Sequence, residues 1–352
     1  MVTRTTTRTT HWEVQWTRRR KLIEEWRQHR RKVIRGDEVE MHQTSRGILQ
    51  GVYMGVDGGN PTRSLDALVQ QVDPGAVSTV HRHSWDAITF VVSGSGWTEI
   101  DGIRYDWKPW DSLHLPAWAW HRSGNDGDTP ARVLTYSSEP TLDVLGMAVL
   151  DDRGAADVAD LPGRPAFTEH ADGEDPYARR VRRLGAEQQR RRSGRLYTDY
   201  EELPLMATPK GTRAKFLNDR TMGHQASGLT QVMIQFAPGK GQAMHRHPGE
   251  AWLYVVEGYG HSYWGDEPTG GETHEWKTGD LIVVDHSQWH QHFNDDPDNP
   301  TRLVRIHMFD SVLETMRVLC DPIDLFEEPP ESIAAAPDIS DVEFPDDRRP
   351  LG

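Results

Sequence analysis

Short apolar segments separated by turn residues dominate the chain between residues 45 and 325. The segments at 88–94 (ITFVVSG) and 97–107 (WTEIDGIRYDW) are rich in β-branched and aromatic residues and predict strands joined at glycine-containing turns. At 11–35, by contrast, apolar residues recur near helical spacing among charges, and we predict a second helix at 177–192. The pattern therefore predicts an all-β protein with a helical N-terminal arm and a helical connector.

The apolar segments occur in two copies. A shift of 164 positions places His81-Arg82-His83 on His245-Arg246-His247, and the matches run through the flanking glycines without a gap. After a loop that is five residues longer in the second copy, Trp120-His121 falls on Trp289-His290. This many matches in order predict a duplicated domain, and a period of this length favours two domains, each with its own core.

The repeat divides the chain into five segments. We expect an N-terminal tail and helical arm (1–44), a first barrel (45–150), a connector with a helix (151–207), a second barrel (208–325) and an acidic flexible tail (326–352). Residues 1–10 are expected to be disordered.

The net charge of −14 argues against nucleic acid as a general partner. Two arginine-rich stretches, 18–35 and 179–195, run against this balance, and we interpret them as solvated helical faces or subunit contacts of a homo-oligomer. The single cysteine, Cys320, excludes an intramolecular disulfide and a cysteine-based zinc site. No segment predicts a secretory signal or a membrane span, so we expect a cytoplasmic protein without a membrane partner.

The duplicated tripeptide carries the chemistry. Residues i and i+2 of a strand point to the same face, so a His-x-His pair aims two imidazoles into one space. A third histidine follows each pair about 40 residues later. Three imidazoles suit Fe, Zn, Cu or Ni, and three protein ligands leave positions open for catalysis. The predicted metal ligands are His81, His83 and His121 in the first copy, and His245, His247 and His290 in the second.

Strand parity bears on a fourth ligand. On a regular strand it would project at Ala87 and Ala251, so three histidines per site is the simplest interpretation. Asp86 and Glu250 lie one residue earlier, and each would need a β-bulge to turn inward. Both are kept as candidates for direct or near contact with a metal, Glu250 more strongly because Pro248-Gly249 precedes it.

Other side chains near the predicted ligands are further candidates. His292 flanks His290 and could replace it as a ligand. Three tryptophans adjoin the third histidines and are either substrate-lining residues or packing at the barrel mouth: Trp118, Trp120 and Trp289.

The repeated segments resemble the two motifs of the cupin superfamily. PGAVSTVHRHSWDAITFVVSG and PGKGQAMHRHPGEAWLYVVEG match the first motif, and DSLHLPAWAWHRSGN and GDLIVVDHSQWHQHFN match the second. The motif glutamate is replaced by Ala87 and Ala251. The resemblance covers about two-thirds of the chain and implies a bicupin, a protein built from two jelly-roll (double-stranded β-helix) barrels.

Within the cupins, HRHSWDAITFVVSGSG and PAWAWHRSGN are similar to the gentisate and salicylate 1,2-dioxygenase group. That group uses three histidines and lacks the motif glutamate. The resemblance implies that His81, His83 and His121 form the catalytic Fe(II) site of a non-haem dioxygenase. Such an enzyme would cleave a hydroxylated or amino-substituted aromatic acid with O₂. Many members have lost the ligands of the second barrel, whereas this chain keeps them, so one ion per barrel is expected.

Two alternatives stay open at the level of sequence. One is a Mn(II)-dependent bicupin decarboxylase, which the two alanines disfavour and which Glu250 would favour if it were a ligand. The other is a non-catalytic cupin that binds a metal or a small molecule. The exact substrate and the barrel that performs catalysis are left undecided by the sequence.

Overall fold

The computed structural model describes residues 10–55, 57–60, 62, 64–247, 249–286, 288–308, 336–342 and 344. Most of the predicted flexible tail and nearly all of the predicted disordered N-terminus lie outside these residues. In the described part of the tail, Ile339 is buried and Phe344 packs under the guanidinium of Arg213. No helix among the described residues combines the length and the apolar character needed to cross a bilayer.

Three α-helices form, α1 (His11–His29), α2 (Glu139–Val144) and α3 (Pro176–Arg192). Helix α1 begins with reciprocal bonds in which Glu13 N donates to Thr10 Oγ1 and Thr10 N donates to Glu13 Oε2, at 3.3 and 2.7 Å. Asp175 caps α3 by accepting from two backbone N–H groups. The predicted arm and connector helices are confirmed. The arm helix ends at His29 rather than residue 35, because the chain turns into a strand soon afterwards.

Among the described residues, 22 strands build two jelly rolls in which the paired strands run antiparallel. The strands that precede α3 are β1 (Val33–Ile34), β2 (His42–Gln43), β3 (Leu49–Met54), β4 (Asp66–Val72), β5 (His81–His83), β6 (Ala87–Ser93), β7 (Gly96–Ile100), β8 (Ile103–Trp107), β9 (Ser112–Leu115), β10 (His121–Gly124), β11 (Ala131–Ser137) and β12 (Leu150–Asp152). Those that follow it are β13 (Tyr197–Thr198), β14 (Met206–Ala207), β15 (Arg213–Asn218), β16 (Thr230–Phe236), β17 (Ala251–Glu257), β18 (Tyr259–Gly265), β19 (Glu272–Lys277), β20 (Leu281–Val284), β21 (Trp289–Asn294) and β22 (Thr301–His307).

Each jelly roll consists of two facing sheets. The first has the strand orders β13-β9-β6-β11-β4-β3-β2 and β12-β5-β10-β7-β8, and the second has β1-β20-β17-β22-β16-β15-β14 and β19-β18-β21. The expected all-β, duplicated jelly-roll fold is confirmed. The sheets stay open at their edges and do not close into complete barrels.

The two jelly rolls exchange edge strands. Strand β1, which precedes the first jelly roll in sequence, pairs with β20 of the second, with Val33 opposite Ile282. Strand β13, which follows the connector helix, pairs with β9 of the first, with Tyr197 opposite Leu113. The exchange holds because Val33 and its neighbour Ile34 are apolar and become buried in the second jelly roll.

Apolar side chains form a core inside each jelly roll, as expected, and a further core between them. The largest cluster takes members from both sheets that face each other across the boundary, among them Tyr53, Ile88, Phe90, Leu134 and Tyr136 of the first jelly roll and Met233, Trp252, Tyr254, Val283 and Val304 of the second. The hydroxyl of Tyr53 also donates to the carbonyl of Gly279 at 2.6 Å. This shared core joins the two halves of the chain. The division into domains at residues 150 and 208 stays a prediction.

We expect Leu134→Ala to lower the free energy of unfolding by about 2–5 kcal/mol, because Leu134 is fully buried in the shared core and its truncation leaves a cavity. Leu145, of which 62% is exposed, supplies the control Leu145→Ala, which should change that free energy by less than about 0.5 kcal/mol. Urea unfolding followed by tryptophan fluorescence and circular dichroism measures both. Two separate transitions, of which only one responds to Leu134→Ala, would show that the shared core does not couple the jelly rolls.

Candidate metal centres

Strand pairing brings the first three histidines together. His81 on β5 lies directly opposite His121 on β10, and His83 follows two residues later on the same face of β5. The ring centroid of His121 lies 4.2 Å from that of His81 and 4.8 Å from that of His83. The potential ligand atoms of the three lie within 4.8 Å of one another, and all three side chains are buried. The sequence spacing therefore becomes a compact group of three nitrogens.

A backbone carbonyl faces one nitrogen of each ring. Nδ1 of His81 lies 3.2 Å from the carbonyl oxygen of Thr79. Nδ1 of His83 lies 2.7 Å from that of Trp85, and Nδ1 of His121 lies 2.9 Å from that of Ala119. A carbonyl only accepts hydrogen bonds, so each Nδ1 carries the proton and each Nε2 keeps its lone pair. This is the arrangement that orients metal-binding histidines in proteins.

Burial keeps these rings neutral. It lowers the pKa of His81 to about 3 and that of His83 to about 4, and it holds the pKa of His121 well below the usual range. Neutral imidazole is the form that binds a metal, so the three rings are ready to do so at neutral pH. The group contains no carboxylate, and Ala87 lines the adjoining cavity at the place of the cupin glutamate. Three neutral nitrogens with open positions fit a divalent transition metal.

A cavity of about 330 Å³ opens beside the first triad, and all three histidines line it. Its walls mix polar side chains, such as Gln70, Thr89 and Thr135, with apolar ones, such as Leu68 and Leu115. A volume of this order falls at the lower end of the range for small-molecule sites, and the mixed lining is typical of them. The arrangement can hold a small ligand in contact with a bound metal.

Two residues of this site were missed by the sequence reasoning. Arg46 reaches the triad from the loop before β3, and its Nη1 donates to Nε2 of His81 at 3.0 Å. Trp85 stacks on the ring of His83 with centroids 4.6 Å apart and nearly parallel planes. The repeat held a signal for the first, because Arg46 falls on Lys210 under the same shift and both are basic.

The second jelly roll repeats the triad. His245 and His290 form a bridge with backbone bonds of 3.2 and 3.0 Å, and with His247 their potential ligand atoms lie within 4.8 Å of one another. The Nδ1 atoms of His245 and His290 again face backbone carbonyls, of Ala243 at 3.0 Å and Gln288 at 2.8 Å. Nδ1 of His247 instead lies 3.2 Å from Nε2 of His307, a residue that the sequence reasoning did not single out.

The two acidic candidates are engaged elsewhere. Asp86 is buried and does not line the first cavity, and it accepts hydrogen bonds from His114 at 3.0 Å and from the backbone N–H groups of Ala117 and Ser227. Glu250 accepts a hydrogen bond from the hydroxyl of Ser64 of the first jelly roll. Neither belongs to a group of closely spaced ligand atoms among the described residues.

His292 is buried beside the second triad, with its ring centroid 5.5 Å from that of His290, and its Nδ1 lies 2.6 Å from the hydroxyl oxygen of Ser262. It lies outside the group of three whose ligand atoms converge, in which His290 takes part.

The three tryptophan candidates pack against arginine side chains. Trp289 precedes His290 on β21, where neighbouring residues face opposite sides, and Trp120 lies just before β10. Arg82 packs over both Trp118 and Trp120, at 4.4 and 4.1 Å, and Arg246 packs over Trp289 at 4.8 Å. None of the three lines the cavity beside the first triad.

The model of the cupin domain matches the chain twice, at residues 68–137 and 232–307. Among curated proteins, a 1-hydroxy-2-naphthoate 1,2-dioxygenase of Nocardioides sp. (strain KP7) is 26% identical over 289 residues, which is 80% of this chain and 70% of that protein. A 5-aminosalicylate 1,2-dioxygenase of Comamonas sp. is 32% identical over 101 residues, 29% of this chain. That match spans only 27% of the relative's length.

Solved structures share the fold at lower identity. A point mutant of salicylate 1,2-dioxygenase from Pseudoaminobacter salicylatoxidans, in complex with gentisate, has a TM-score of 0.57 at 19% identity, over 90% of this chain and 96% of that one. Oxalate decarboxylase of Lactobacillus farciminis has a TM-score of 0.58 at 14% identity, over 86% and 89%. Each segment matched by the cupin model contains one histidine triad within one jelly roll, so the duplicated fold is that of two cupin domains.

Proposed function

We propose that this protein is a non-haem Fe(II)-dependent dioxygenase that uses O₂ to cleave the ring of a hydroxylated or amino-substituted aromatic acid. The observation that carries the proposal is the triad of neutral histidines without a carboxylate, which lines a cavity of about 330 Å³ together with Arg46. The names of the two curated relatives, both 1,2-dioxygenases of aromatic acids, support the reaction class. Catalysis is assigned to the first jelly roll because this cavity lies there.

His81, His83 and His121 would hold the catalytic Fe(II), and His245, His247 and His290 would hold a second ion. When bound, iron supplies a meeting point for the substrate's oxygen or nitrogen donors and O₂, and a path for electrons from ring to oxygen. The carbonyls at Nδ1 fix the orientation of the three rings, and Arg46 must withdraw from Nε2 of His81 for that nitrogen to bind the ion.

Arg46 is the residue that would bind the substrate's carboxylate. Its guanidinium lies in the cavity, 3.0 Å from Nε2 of His81, so a carboxylate beside the triad would be within its reach. Asp152 lies 3.7 Å from the same guanidinium and helps to hold it there. The hydroxyl or amino group of the substrate would find partners among Gln70, Thr89 and Thr135.

The two alternatives gain less support. A Mn(II)-dependent decarboxylase shares the fold of this chain, but the residues at the glutamate position are Ala87 and Ala251, and Glu250 binds Ser64. A non-catalytic binding protein would use the same cavity and differs only in lacking turnover. The cytoplasmic location and the homo-oligomeric state stay predictions.

We expect anaerobically iron-loaded protein to consume O₂ when supplied with gentisate, salicylate or 3-hydroxyanthranilate, with loss of the aromatic absorbance. An oxygen electrode and a spectrophotometer measure the two together. Protein loaded with Mn(II) serves as the comparison and should show no such uptake. Release of CO₂ from a carboxylic acid substrate without net O₂ uptake would favour the decarboxylase, and inactivity with every compound would favour the binding protein.

His121→Ala should abolish metal retention by the first triad and leave the second largely loaded, because the two groups are built on separate sheets. The folded state should persist, since both interiors have apolar cores. Metal analysis of the purified variant should therefore give about half the content of the parent. His290→Ala is the reciprocal control and should spare O₂ uptake. Full metal content in His121→Ala would remove this histidine from the site.

Arg46→Gln should reduce kcat/KM by about 10- to 100-fold, mainly through KM, because a hydrogen bond between charged groups contributes about 1.5–3 kcal/mol. Arg46→Lys should recover part of the loss. Arg104, half exposed and paired with Asp106, supplies the control Arg104→Gln, which should leave kcat/KM unchanged. Steady-state kinetics on the iron-loaded proteins measure these effects, and an unchanged KM in Arg46→Gln would exclude Arg46 from substrate binding.

A further inference from the structure

The second triad has a positively charged neighbour that the first lacks. In the first jelly roll, Thr89 on β6 pairs with Thr135 on β11, and both line the cavity. The equivalent pair in the second is Leu253 on β17 and Arg305 on β22. A threonine in one interior is thus replaced by an arginine in the other.

Arg305 faces the interior of the second jelly roll. Its cross-strand neighbours on the two sides are Leu253 and Val232, which both belong to the apolar core inside that jelly roll. Its Nε is buried and has no hydrogen-bond partner among the described residues. Arg305 lies two residues before His307 on β22, and Nε2 of His307 lies 3.2 Å from Nδ1 of His247, so the same strand that carries the guanidinium contacts the triad.

A second cation reaches the same triad. Lys210 occupies the position of Arg46 in the repeat, and its backbone carbonyl accepts a hydrogen bond of 2.9 Å from the N–H of Ala243, two residues before His245. Both jelly rolls therefore place a basic side chain from the equivalent loop beside the histidines. The second adds Arg305, which stands where the first has the cavity-lining Thr135.

The charges of a metal-bound second triad would favour an anion. A divalent ion on three neutral imidazoles keeps its full charge, and the nearby guanidinium adds another in a water-poor interior where like charges repel strongly. Among the described residues, the second group of ligand atoms contains no carboxylate. Asp219 is the acid whose charge acts on Arg305, and it lies outside that group.

We propose that the second triad, with its metal bound, takes a small carboxylate anion that is shared between the ion and Arg305. This inference rests on the proposed metal binding of the second triad. The ligand is small because leucine and arginine occupy the places of two threonines, which narrows the interior and removes polar partners for ring substituents. Formate or acetate fits this description, whereas an aromatic acid belongs in the first jelly roll.

The test uses full-length His121→Ala loaded with Co(II), so that the second triad is the metal site under observation. The visible absorption of Co(II) responds to its ligands, and acetate or formate is titrated while the spectrum is recorded. A saturable spectral change is expected with both anions and none with benzoate. Metal content is measured on the same samples, so that binding of the ion and binding of the anion are read separately.

Arg305→Gln in the same background should weaken acetate binding by about 10- to 100-fold without loss of Co(II), and Arg305→Lys should recover part of it. Arg132, exposed on the equivalent strand β11, supplies the control Arg132→Gln, which should bind acetate like the parent. Bound Co(II) without any response to the anions, or an equal response in Arg305→Gln, overturns the inference and leaves the metal site intact. Absence of Co(II) from the second triad overturns both this inference and the proposed second metal site.

Discussion

The contact between Nδ1 of each triad histidine and a backbone carbonyl is the constraint on which the first site depends. Because Thr79, Trp85 and Ala119 supply these carbonyls from the segments that lead into or out of β5 and β10, the fold itself decides which nitrogen of each ring is free. A side-chain acceptor would have rotamer freedom, whereas a carbonyl fixed by strand pairing has almost none. The metal-binding geometry is therefore set by the same hydrogen bonds that set the sheet.

Burial and charge act together around this geometry. Removal from water lowers the pKa of His81 to about 3 and of His83 to about 4, so the rings hold no proton that would compete with a metal at neutral pH. The shared apolar core and the exchanged strands β1 and β13 tie the two jelly rolls together, so each site is supported by residues from distant parts of the chain. The triads are short motifs, but the environment that makes them neutral comes from the whole fold.

The sequence predicted the duplicated fold and the convergence of both triads, because the His-x-His pair depends only on strand parity and a repeated pattern excludes chance. Parity also explains why Ala87 lies at the cavity. Parity could not locate Arg46 or Trp85, since the first comes from a loop and the second from the turn between two sheets. The sequence predicted too long an α1, because the apolar residues 33 and 34 fit its pattern. These two residues form a strand that pairs with the second jelly roll.

The two halves show how one scaffold separates metal binding from ligand choice. Both triads converge in the same way, and all but one of the Nδ1 atoms face a backbone carbonyl, that of His247 facing His307 instead. At one cross-strand pair, Thr89 and Thr135 give way to Leu253 and Arg305, which changes a polar cavity wall into an apolar surface with one cation. Substitutions of this kind leave the strand pairing intact, since they alter only side chains that face the interior. After duplication, each half could therefore acquire its own ligand without disturbing the nitrogens that hold the ion.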